Sequence, residues 1–227
     1  AAQRTNSPEF STFFFADPEK IRDATLAAHR RAVNAIKATG ARYLVGLTLA
    51  IQDEQAVSGG EARRDRIQAE CYGPFLEAAR SDDFIGVQTY TRARIGSEGG
   101  LGPEAGVELT QMGYEFWPEA LEQTVRYASR VSGRPVIVTE NGIATEDDAR
   151  RGEYIRRALQ GLARCLADGL DVRGYFYWSA MDNFEWVFGY RPKFGLIAVD
   201  RQNFTRSVRP SARYLGRIAR TGGIPPA

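Results

Sequence analysis

Short apolar runs alternate with longer amphipathic stretches along this chain. Residues 18–39 place apolar side chains on one helical face, with Asp17 as a candidate N-cap and Pro18 at the first helical position. Apolar runs with the length of buried strands lie at 41–49, 135–138 and 172–177. An alternation of helices and strands is typical of an α/β fold.

Two of these runs lead into a carboxylate. Glu140 follows the run 135–138 and stands before Asn141-Gly142, a turn signal. The run 172–177 leads into a stretch with Glu185 and a tryptophan at each end. A (β/α) barrel carries its catalytic groups at the C-terminal tips of its strands. Taken alone, Glu140 is equally well explained as an acidic cap of the next helix, but the two tips together predict a pocket for sugar.

These stretches resemble the family-1 glycoside hydrolases, the retaining β-glucosidase and β-galactosidase family. That family carries Ile-Thr-Glu-Asn-Gly on its seventh barrel strand, and residues 138–142 read Val-Thr-Glu-Asn-Gly. After the eighth strand it carries Trp-Ser-Leu-x-Asp-Asn-Phe-Glu-Trp, then Gly-Tyr and Phe-Gly-Leu, a series similar to residues 178–196. Weaker similarities lie at 83–90, 113–121 and 209–214. The resemblance covers nearly the whole chain and implies an α/β fold of the (β/α)8 TIM-barrel type.

The order of the motifs indicates the C-terminal half of such a barrel. A complete barrel typically needs about 250 residues, whereas this chain has 227. The motifs of strands six to eight begin near residue 83, and only the strand at 41–49 precedes them. We therefore expect a single domain over 1–227 with four strands, taken as five to eight, and five helices. Residues 1–16 are expected to form a frayed N-terminal segment.

An open half-barrel also predicts a protein partner. Four parallel strands leave two unpaired edges, which invite pairing. They also leave an inner face that we expect to be apolar and uncovered. The expected partner is a second half-barrel, either an N-terminal fragment or a copy of this chain.

The resemblance implies roles for five residues. Glu140 matches the nucleophile of the retaining mechanism, and Tyr90 matches the tyrosine whose hydroxyl contacts it. Glu185 matches the glutamate that binds hydroxyls far from the anomeric carbon, and it implies an unphosphorylated sugar, since relatives acting on 6-phosphorylated sugars tend to carry serine there. Trp178 matches the tryptophan beneath the sugar ring, and Trp186 offers an indole N–H. Ordinary packing of aromatic side chains is the alternative for Tyr90 and both tryptophans.

The N-terminus invites a further comparison. The family's fourth strand ends in Asn-Glu-Pro, whose glutamate is the general acid/base. If Asn6 and Pro8 align with this triplet, Asn6 is a substrate-binding residue and Ser7 stands at the acid/base position, where a hydroxyl cannot act as the acid. The alternatives are Glu9 in a shifted register and a terminus without a role. The glutamine, His-Trp pair and arginine of the family's first strands are not found in this sequence.

Three functions remain open at this point. The first is a retaining β-glycoside hydrolase that needs an N-terminal half for activity. The second is a catalytically inactive half-barrel that acts as a binding or assembly module, and the third is an unrelated α/β domain. The sequence also departs from the family: Gln88 and Thr89 replace the Asn and Tyr before Tyr90, and Phe188 stands where smaller or acidic residues are common.

Composition narrows the set of ligands and partners. The chain has 30 basic and 28 acidic residues and a net charge of +2, which gives no reason to expect nucleic acid. No apolar run approaches the roughly 18 residues of a membrane span. A small-molecule β-glycoside is the expected ligand, with no metal and no cofactor. The arginines after Arg191 are expected on a solvated face of the last helix.

Single residues of reactive types are assigned structural roles. Cys71 and Cys165 match no metal or redox spacing and are expected to be buried free thiols, which favours a cytoplasmic location. His29 has no acidic or cysteine neighbour in sequence and is expected to make a structural hydrogen bond. The Gly-rich residues 95–103 are expected in a loop over the active-site face.

Overall fold

The computed structural model describes residues 17–226, and four parallel strands form its framework. The strands in chain order are β1 (Gly46–Ala50), β2 (Asp53–Ala56), β3 (Phe84–Gln88), β4 (Arg92–Ile95), β5 (Gly100–Leu101), β6 (Val136–Asn141), β7 (Val172–Tyr177), β8 (Ile197–Val199) and β9 (Arg206–Val208). The main sheet has the order β1-β3-β6-β7, and all its pairs are parallel. These are the four strands that the sequence predicts.

Helices connect the strands of the main sheet. They are α1 (Pro18–Ala38), α2 (Glu61–Ile67), α3 (Gly73–Ala78), α4 (Ala120–Ser132), α5 (Asp148–Ala167) and α6 (Pro210–Thr221). A π-helical turn, Gln68–Tyr72, joins α2 to α3 without a break. With α2 and α3 counted as one helical segment, residues 17–226 contain the five helices that the sequence predicts.

The first helix begins where the sequence predicts. The carboxylate of Asp17 accepts hydrogen bonds from the backbone N–H groups of Glu19 and Lys20, at 3.0 and 3.5 Å, and Pro18 occupies the first turn. These contacts satisfy two of the N–H groups that have no partner within the helix. The helix ends at Ala38, one residue before the predicted end.

The first strand begins later than the sequence predicts. Residues 41–45 are apolar enough for a strand, but pairing starts only at Gly46, which lies opposite Phe84 of β3. A parallel edge strand can be hydrogen-bonded only as far as its single neighbour reaches. Tyr43 and Leu44 therefore precede the ladder, and their side chains are exposed.

The hydrophobic core lies between one face of the main sheet and the helices. Alternate strand residues point into it because successive side chains of a strand point to opposite faces. The sheet contributes fully buried Ile85, Val87, Val136 and Val138. Helices α4 and α5 supply most of the helical side; among their core residues are Leu121, Val125, Ala128, Tyr154, Ile155 and Ala158. Burial of each large apolar side chain contributes about 1.5–3 kcal/mol.

Within residues 17–226 the other face of the main sheet is open, and this corrects the expectation of buried strands at 135–138 and 172–177. On β7 the side chains of Arg173 and Phe176 are exposed, and on β6 Ile137 is only partly buried. This face is also less apolar than expected, since the hydroxyls of Thr48 and Thr139 meet on it at 2.6 Å. It is the face that a closed barrel turns inward.

Two small sheets extend the framework. Strands β2, β4 and β5 form one and β8 and β9 the other. The predicted Gly-rich loop at 95–103 therefore contains the short strand β5, which pairs with β4 in an antiparallel hairpin.

The histidine and the two cysteines lie in different environments. The His29 ring bonds to the Asp82 carboxylate at 2.8 Å, which confirms a structural role. Cys165 is buried as predicted, but Cys71 is exposed, because it lies in the π-helical turn on the outer surface. Among the described helices, none is long and apolar enough to cross a membrane.

Candidate active site

Three strand ends meet at one open cavity of about 370 Å³. The cavity is lined by Tyr90, Met112, Tyr114, Glu140, Trp178, Glu185, Trp186 and Phe194. The structure thus brings together all five site residues that the sequence proposes within the described part of the chain. Asn6 and Ser7 lie outside the described residues.

The Glu140 carboxylate receives two hydrogen bonds from the neighbouring strand β3 and the residues after it. The Tyr90 hydroxyl donates to Oε2 at 2.5 Å, and the Gln88 side-chain amide donates to Oε1 at 2.8 Å. Burial, together with the bond to Glu140 and the negative charges of Glu140 and Glu185, raises the pKa of Tyr90 far above its usual range. Tyr90 therefore stays neutral and remains a hydrogen-bond donor.

A buried polar network holds the backbone at the strand ends that carry Tyr90 and Glu140. The side-chain amide of fully buried Asn141 donates to the Thr89 carbonyl at 2.7 Å and to the Tyr154 hydroxyl at 3.0 Å, and it accepts from Tyr175 at 3.0 Å. The Tyr154 hydroxyl in turn donates to the Tyr90 carbonyl at 2.8 Å. Because each of these buried groups has a partner, the network holds the strand ends in one arrangement.

The glycine after Asn141 allows the next strand end to approach. A Cβ atom at Gly142 would lie 2.0 Å from the carbonyl oxygen of Trp178, closer than any side chain tolerates. The backbone N–H of Trp178 donates to the Asn141 carbonyl at 2.9 Å, so β6 and β7 stay joined up to this point. The Thr-Glu-Asn-Gly sequence therefore places Glu140 and Trp178 on adjacent strand ends.

Trp178 and Glu185 are in direct contact. The indole N–H of Trp178 donates to Oε1 of Glu185 at 3.2 Å. The contact orients the Glu185 carboxylate while one of its oxygens keeps free lone pairs for a ligand. Trp186 begins a short 3₁₀ turn, and 82% of its surface is exposed. Within residues 17–226, Trp186 is therefore not packed in a core.

The loop that carries Glu185 is fastened by an ion pair. The two terminal guanidinium nitrogens of Arg209, Nη1 and Nη2, donate to the Asp182 carboxylate at 3.0 and 2.9 Å, and the Gly195 backbone N–H donates to the same carboxylate at 2.9 Å. A bidentate pair of this kind fixes geometry as well as charge. Arg209 is thus an exception to the solvated arginine face expected near the last helix, because it binds Asp182, while Arg213 and Arg217 are exposed as expected.

We expect Arg209→Met to lower the free energy of unfolding by about 2 kcal/mol, because it leaves the largely buried Asp182 carboxylate without its charged donor. Chemical denaturation followed by tryptophan fluorescence measures this difference. Arg213→Met on the same helix end is the matched control and is expected to change stability by less than about 0.5 kcal/mol. Equal effects of the two substitutions would contradict a specific role for the ion pair.

Sequence reasoning missed three residues of the cavity wall. Met112 and Tyr114 come from the long segment between β5 and α4, and burial together with the charge of Glu185 raises the pKa of Tyr114. Phe194 packs edge-on against Tyr90, with ring centroids 5.9 Å apart. The Phe-Gly-Leu motif could have indicated Phe194 as a cavity residue. The sequence around Met112 contains no signal that this residue lies over the strand ends.

The site contains oxygen and aromatic groups but no cluster typical of a metal centre. Within residues 17–226 no three His, Cys, Asp or Glu side chains lie close enough together to hold a metal ion.

Comparisons with known proteins agree with the fold. Residues 9–224 match the sequence profile of glycosyl hydrolase family 1. A β-galactosidase of Sulfolobus acidocaldarius is 32% identical over 234 residues, covering 88% of this chain and 47% of that protein. A bifunctional β-D-glucosidase/β-D-fucosidase of Bifidobacterium breve is 43% identical over 130 residues, covering 51% of this chain and 28% of that protein. The crystal structure of the β-glycosidase BGL167 superposes with a TM-score of 0.89 at 50% identity, covering 100% of this chain and 55% of that one.

This chain belongs to glycosyl hydrolase family 1. It spans about half the length of the relatives it matches, 47% of the Sulfolobus protein and 55% of the crystallised β-glycosidase. The fold is accordingly a segment of a (β/α)8 barrel, as the motif order predicts. Family membership excludes the third hypothesis, an unrelated α/β domain.

Proposed function

We propose that this chain is the C-terminal half of a retaining β-glycoside hydrolase with Glu140 as its nucleophile. The observation that carries the proposal is the position of the Glu140 carboxylate. It lies on the wall of an open cavity, with one donor on each oxygen and aromatic side chains around it. A carboxylate held in this way is ready for attack along a defined direction, as a near-attack geometry requires.

The proposed chemistry proceeds in two steps. A Glu140 oxygen attacks the anomeric carbon as the bond to the leaving oxygen breaks, and that oxygen takes a proton from a general acid. Water then attacks the glycosyl-enzyme, gives a proton to the same group, and releases the sugar and the free carboxylate. Retaining enzymes hold the two carboxyl groups about 5–5.5 Å apart. Glu185, the other carboxylate that lines the cavity, is assigned to sugar hydroxyls, so we propose that the acid/base comes from outside residues 17–226.

The remaining cavity residues suit a sugar without a phosphate group. Glu185 presents a carboxylate that accepts hydrogen bonds from two adjacent hydroxyls, and the same negative charge would repel a phosphorylated sugar. Trp178 is held by its bond to Glu185, so its ring forms a fixed wall for the apolar face of a sugar ring. We propose an unphosphorylated β-linked glycoside as the substrate.

The proposed function requires a second half-barrel. The missing acid/base belongs to the family's fourth strand, and the open edges β1 and β7 mark where four further strands would pair. Partnership with an N-terminal half would place both carboxyl groups over one cavity. Pairing with a copy of this chain would cover the same edges but would leave the acid/base absent.

We expect the 227-residue chain alone to sediment as a dimer or larger species, because two unpaired strand edges and an open sheet face favour association. Analytical ultracentrifugation from about 1 to 50 µM measures this. A single species with the mass of one chain over that range, unfolding cooperatively, would contradict the expectation.

The function is tested with a 2-deoxy-2-fluoroglucosyl donor that carries a very good leaving group. Such a donor needs little acid assistance, so it tests Glu140 independently of the missing acid/base. Intact mass and peptide mapping are recorded for the chain alone. They are then recorded for the chain mixed with the first four strand–helix units of the β-glycosidase that shares 50% identity.

The outcomes separate the two remaining hypotheses. One fluoroglucosyl group on the Glu140 peptide, in either preparation, supports the enzyme. A label on another residue overturns Glu140 as the nucleophile. No label in either preparation, with the two halves shown to associate, favours the catalytically inactive binding or assembly module.

A further inference from the structure

The strand register brings Gln88 directly beside Glu140. Strands β3 and β6 pair in order from Ile85 opposite Val136 to Val87 opposite Val138. The register then shifts by one residue, so Gln88 lies opposite Glu140 and Thr139 is skipped. Without this irregularity Gln88 would pair with Thr139, and the glutamate would be one position further on.

The contact that results has one chemically acceptable orientation. Gln88 Nε2 lies 2.8 Å from Glu140 Oε1. An ionised carboxylate only accepts hydrogen bonds, whereas a side-chain amide has both a donor and an acceptor end. The N–H₂ end must therefore face Glu140, because the opposite orientation would bring two oxygen atoms with lone pairs together.

Gln88 contacts Glu140 but is not itself one of the residues that line the cavity. Tyr90 and Glu140 both line the cavity, while Gln88 is not among the lining residues. Its backbone is fixed on the far side as well, since the Gln88 carbonyl accepts from Ile51 at 2.9 Å. We therefore expect Gln88 to act on the reacting atoms through Glu140.

We infer that Gln88 is a positioning residue that fixes the rotation of the Glu140 carboxylate, a role that rests on the proposed function of Glu140. Among residues 17–226 Tyr90 holds one oxygen, and with that bond alone the carboxylate could turn about the contact. A second donor on the other oxygen defines the plane of the carboxylate and the direction of its attacking lone pair. In this chain Gln88, at the position of the family's asparagine, supplies that second donor.

The hydrogen bond itself is tested without any activity. In the ¹⁵N-labelled chain, Gln88→Met identifies the side-chain amide resonances of Gln88 by their loss. Glu140→Leu, which removes the acceptor, is expected to shift these resonances, and the exposed substitution Gln123→Met is expected to leave them in place. Unchanged Gln88 resonances in Glu140→Leu would overturn the inference, whether or not the protein is labelled by the fluoroglucosyl donor.

The kinetic consequence is tested in the preparation that the fluoroglucosyl donor labels. Gln88→Met keeps the length of the side chain and removes the donor, so we expect the maximal labelling rate to fall about 10- to 100-fold. The donor concentration for half-maximal rate is expected to change less than about threefold, because Gln88 does not contact the ligand. Gln88→Asn keeps the amide but is one methylene shorter, and partial recovery is expected.

These results distinguish positioning from a general structural effect. A lower rate with unchanged half-maximal concentration and unchanged unfolding midpoint supports the inference. An equal fall for Gln88→Met and Gln123→Met, or a parent rate in Gln88→Met, overturns it. A parent protein that is labelled on a residue other than Glu140 refutes the proposed function, while the amide resonances still report on the Gln88 contact.

Discussion

In the preparation that the fluoroglucosyl donor labels, Glu140→Ala is expected to abolish hydrolysis of aryl β-glucosides and covalent labelling by that donor. Removal of the carboxylate removes the atom that forms the bond to the anomeric carbon, and the loss of a nucleophile typically costs on the order of 10⁴-fold or more in rate. The substitution leaves the buried network of Asn141 intact, since that network does not involve the Glu140 side chain. The cavity wall should therefore remain in place while the reaction stops.

The matched control is Glu98→Gln, at an exposed position in the Gly-rich segment. It removes one carboxylate charge and is expected to leave both the hydrolysis rate and the labelling rate within about twofold. Initial rates, intact mass and the unfolding midpoint are measured for both variants and the parent. Turnover of Glu140→Ala at the parent rate would disprove the assignment of the nucleophile.

Arg151→Met is expected to lower the free energy of unfolding by about 3–5 kcal/mol, the largest loss of stability among the substitutions considered. Arg151 is fully buried in α5. Its guanidinium bonds to Asp148 at 2.5 Å and donates to the carbonyls of Thr145 and Lys193 at 2.6 and 2.8 Å. Methionine fills a similar volume but leaves all three acceptors without this donor.

The loss of the Arg151 hydrogen bonds should also loosen the cavity wall, because the Lys193 carbonyl directly precedes Phe194, which lines the cavity. Thermal unfolding of the chain should show a fall of roughly 10 °C in the midpoint. Arg150→Met is the matched control, since Arg150 is adjacent in sequence but pairs with Glu108 at the surface. A surface pair contributes about 0–1 kcal/mol, so equal effects at 150 and 151 would contradict the importance of burial.

The contacts of Asp148 with Arg151 and Ser211 imply that the stability of the fold depends on pH. Burial would raise the pKa of Asp148, but hydrogen bonds from Ser211 and the Arg151 charge together lower it below its usual value. A group with a lowered folded-state pKa stabilises the fold above its unfolded-state pKa, and that stabilisation is lost as the pH falls through the folded-state value. In Arg151→Met the acid-dependent part of the stability should therefore be smaller than in the parent.

Local patterns were sufficient to predict much of the fold. The cap at Asp17 and the start of α1 depend on neighbours two and three residues away, and both were found where predicted. Strand β7 also has the predicted bounds, because a short run rich in apolar and aromatic residues is a local signal. The predicted start of β1 was wrong, because the first paired residue of β1 depends on where β3 begins, 38 residues further along the chain.

Some residues of the candidate site could likewise be predicted from local motifs, whereas others could not. Glu140, Trp178 and Glu185 were recognisable because each lies in a motif at the end of an apolar run, where parallel strands bring their tips together. The bond from Gln88 to Glu140 joins residues 52 apart in sequence, and it depends on a one-residue shift in register that no local pattern shows. The approach of Met112 and Tyr114 to the cavity depends on how a long loop folds back.

The sequence by itself determined the four strands of the main sheet, the five helices, which strand ends carry the carboxylates, and to which family the chain is similar. These properties follow from side-chain periodicity and from motifs, which act over a few residues. Only the tertiary structure decided which donors hold Glu140, that Arg151 is fully buried, and that one face of the sheet is open within residues 17–226. Those properties arise when segments far apart in sequence pack together, because register, burial and hydrogen-bond partners are then set by the shape of the neighbouring elements.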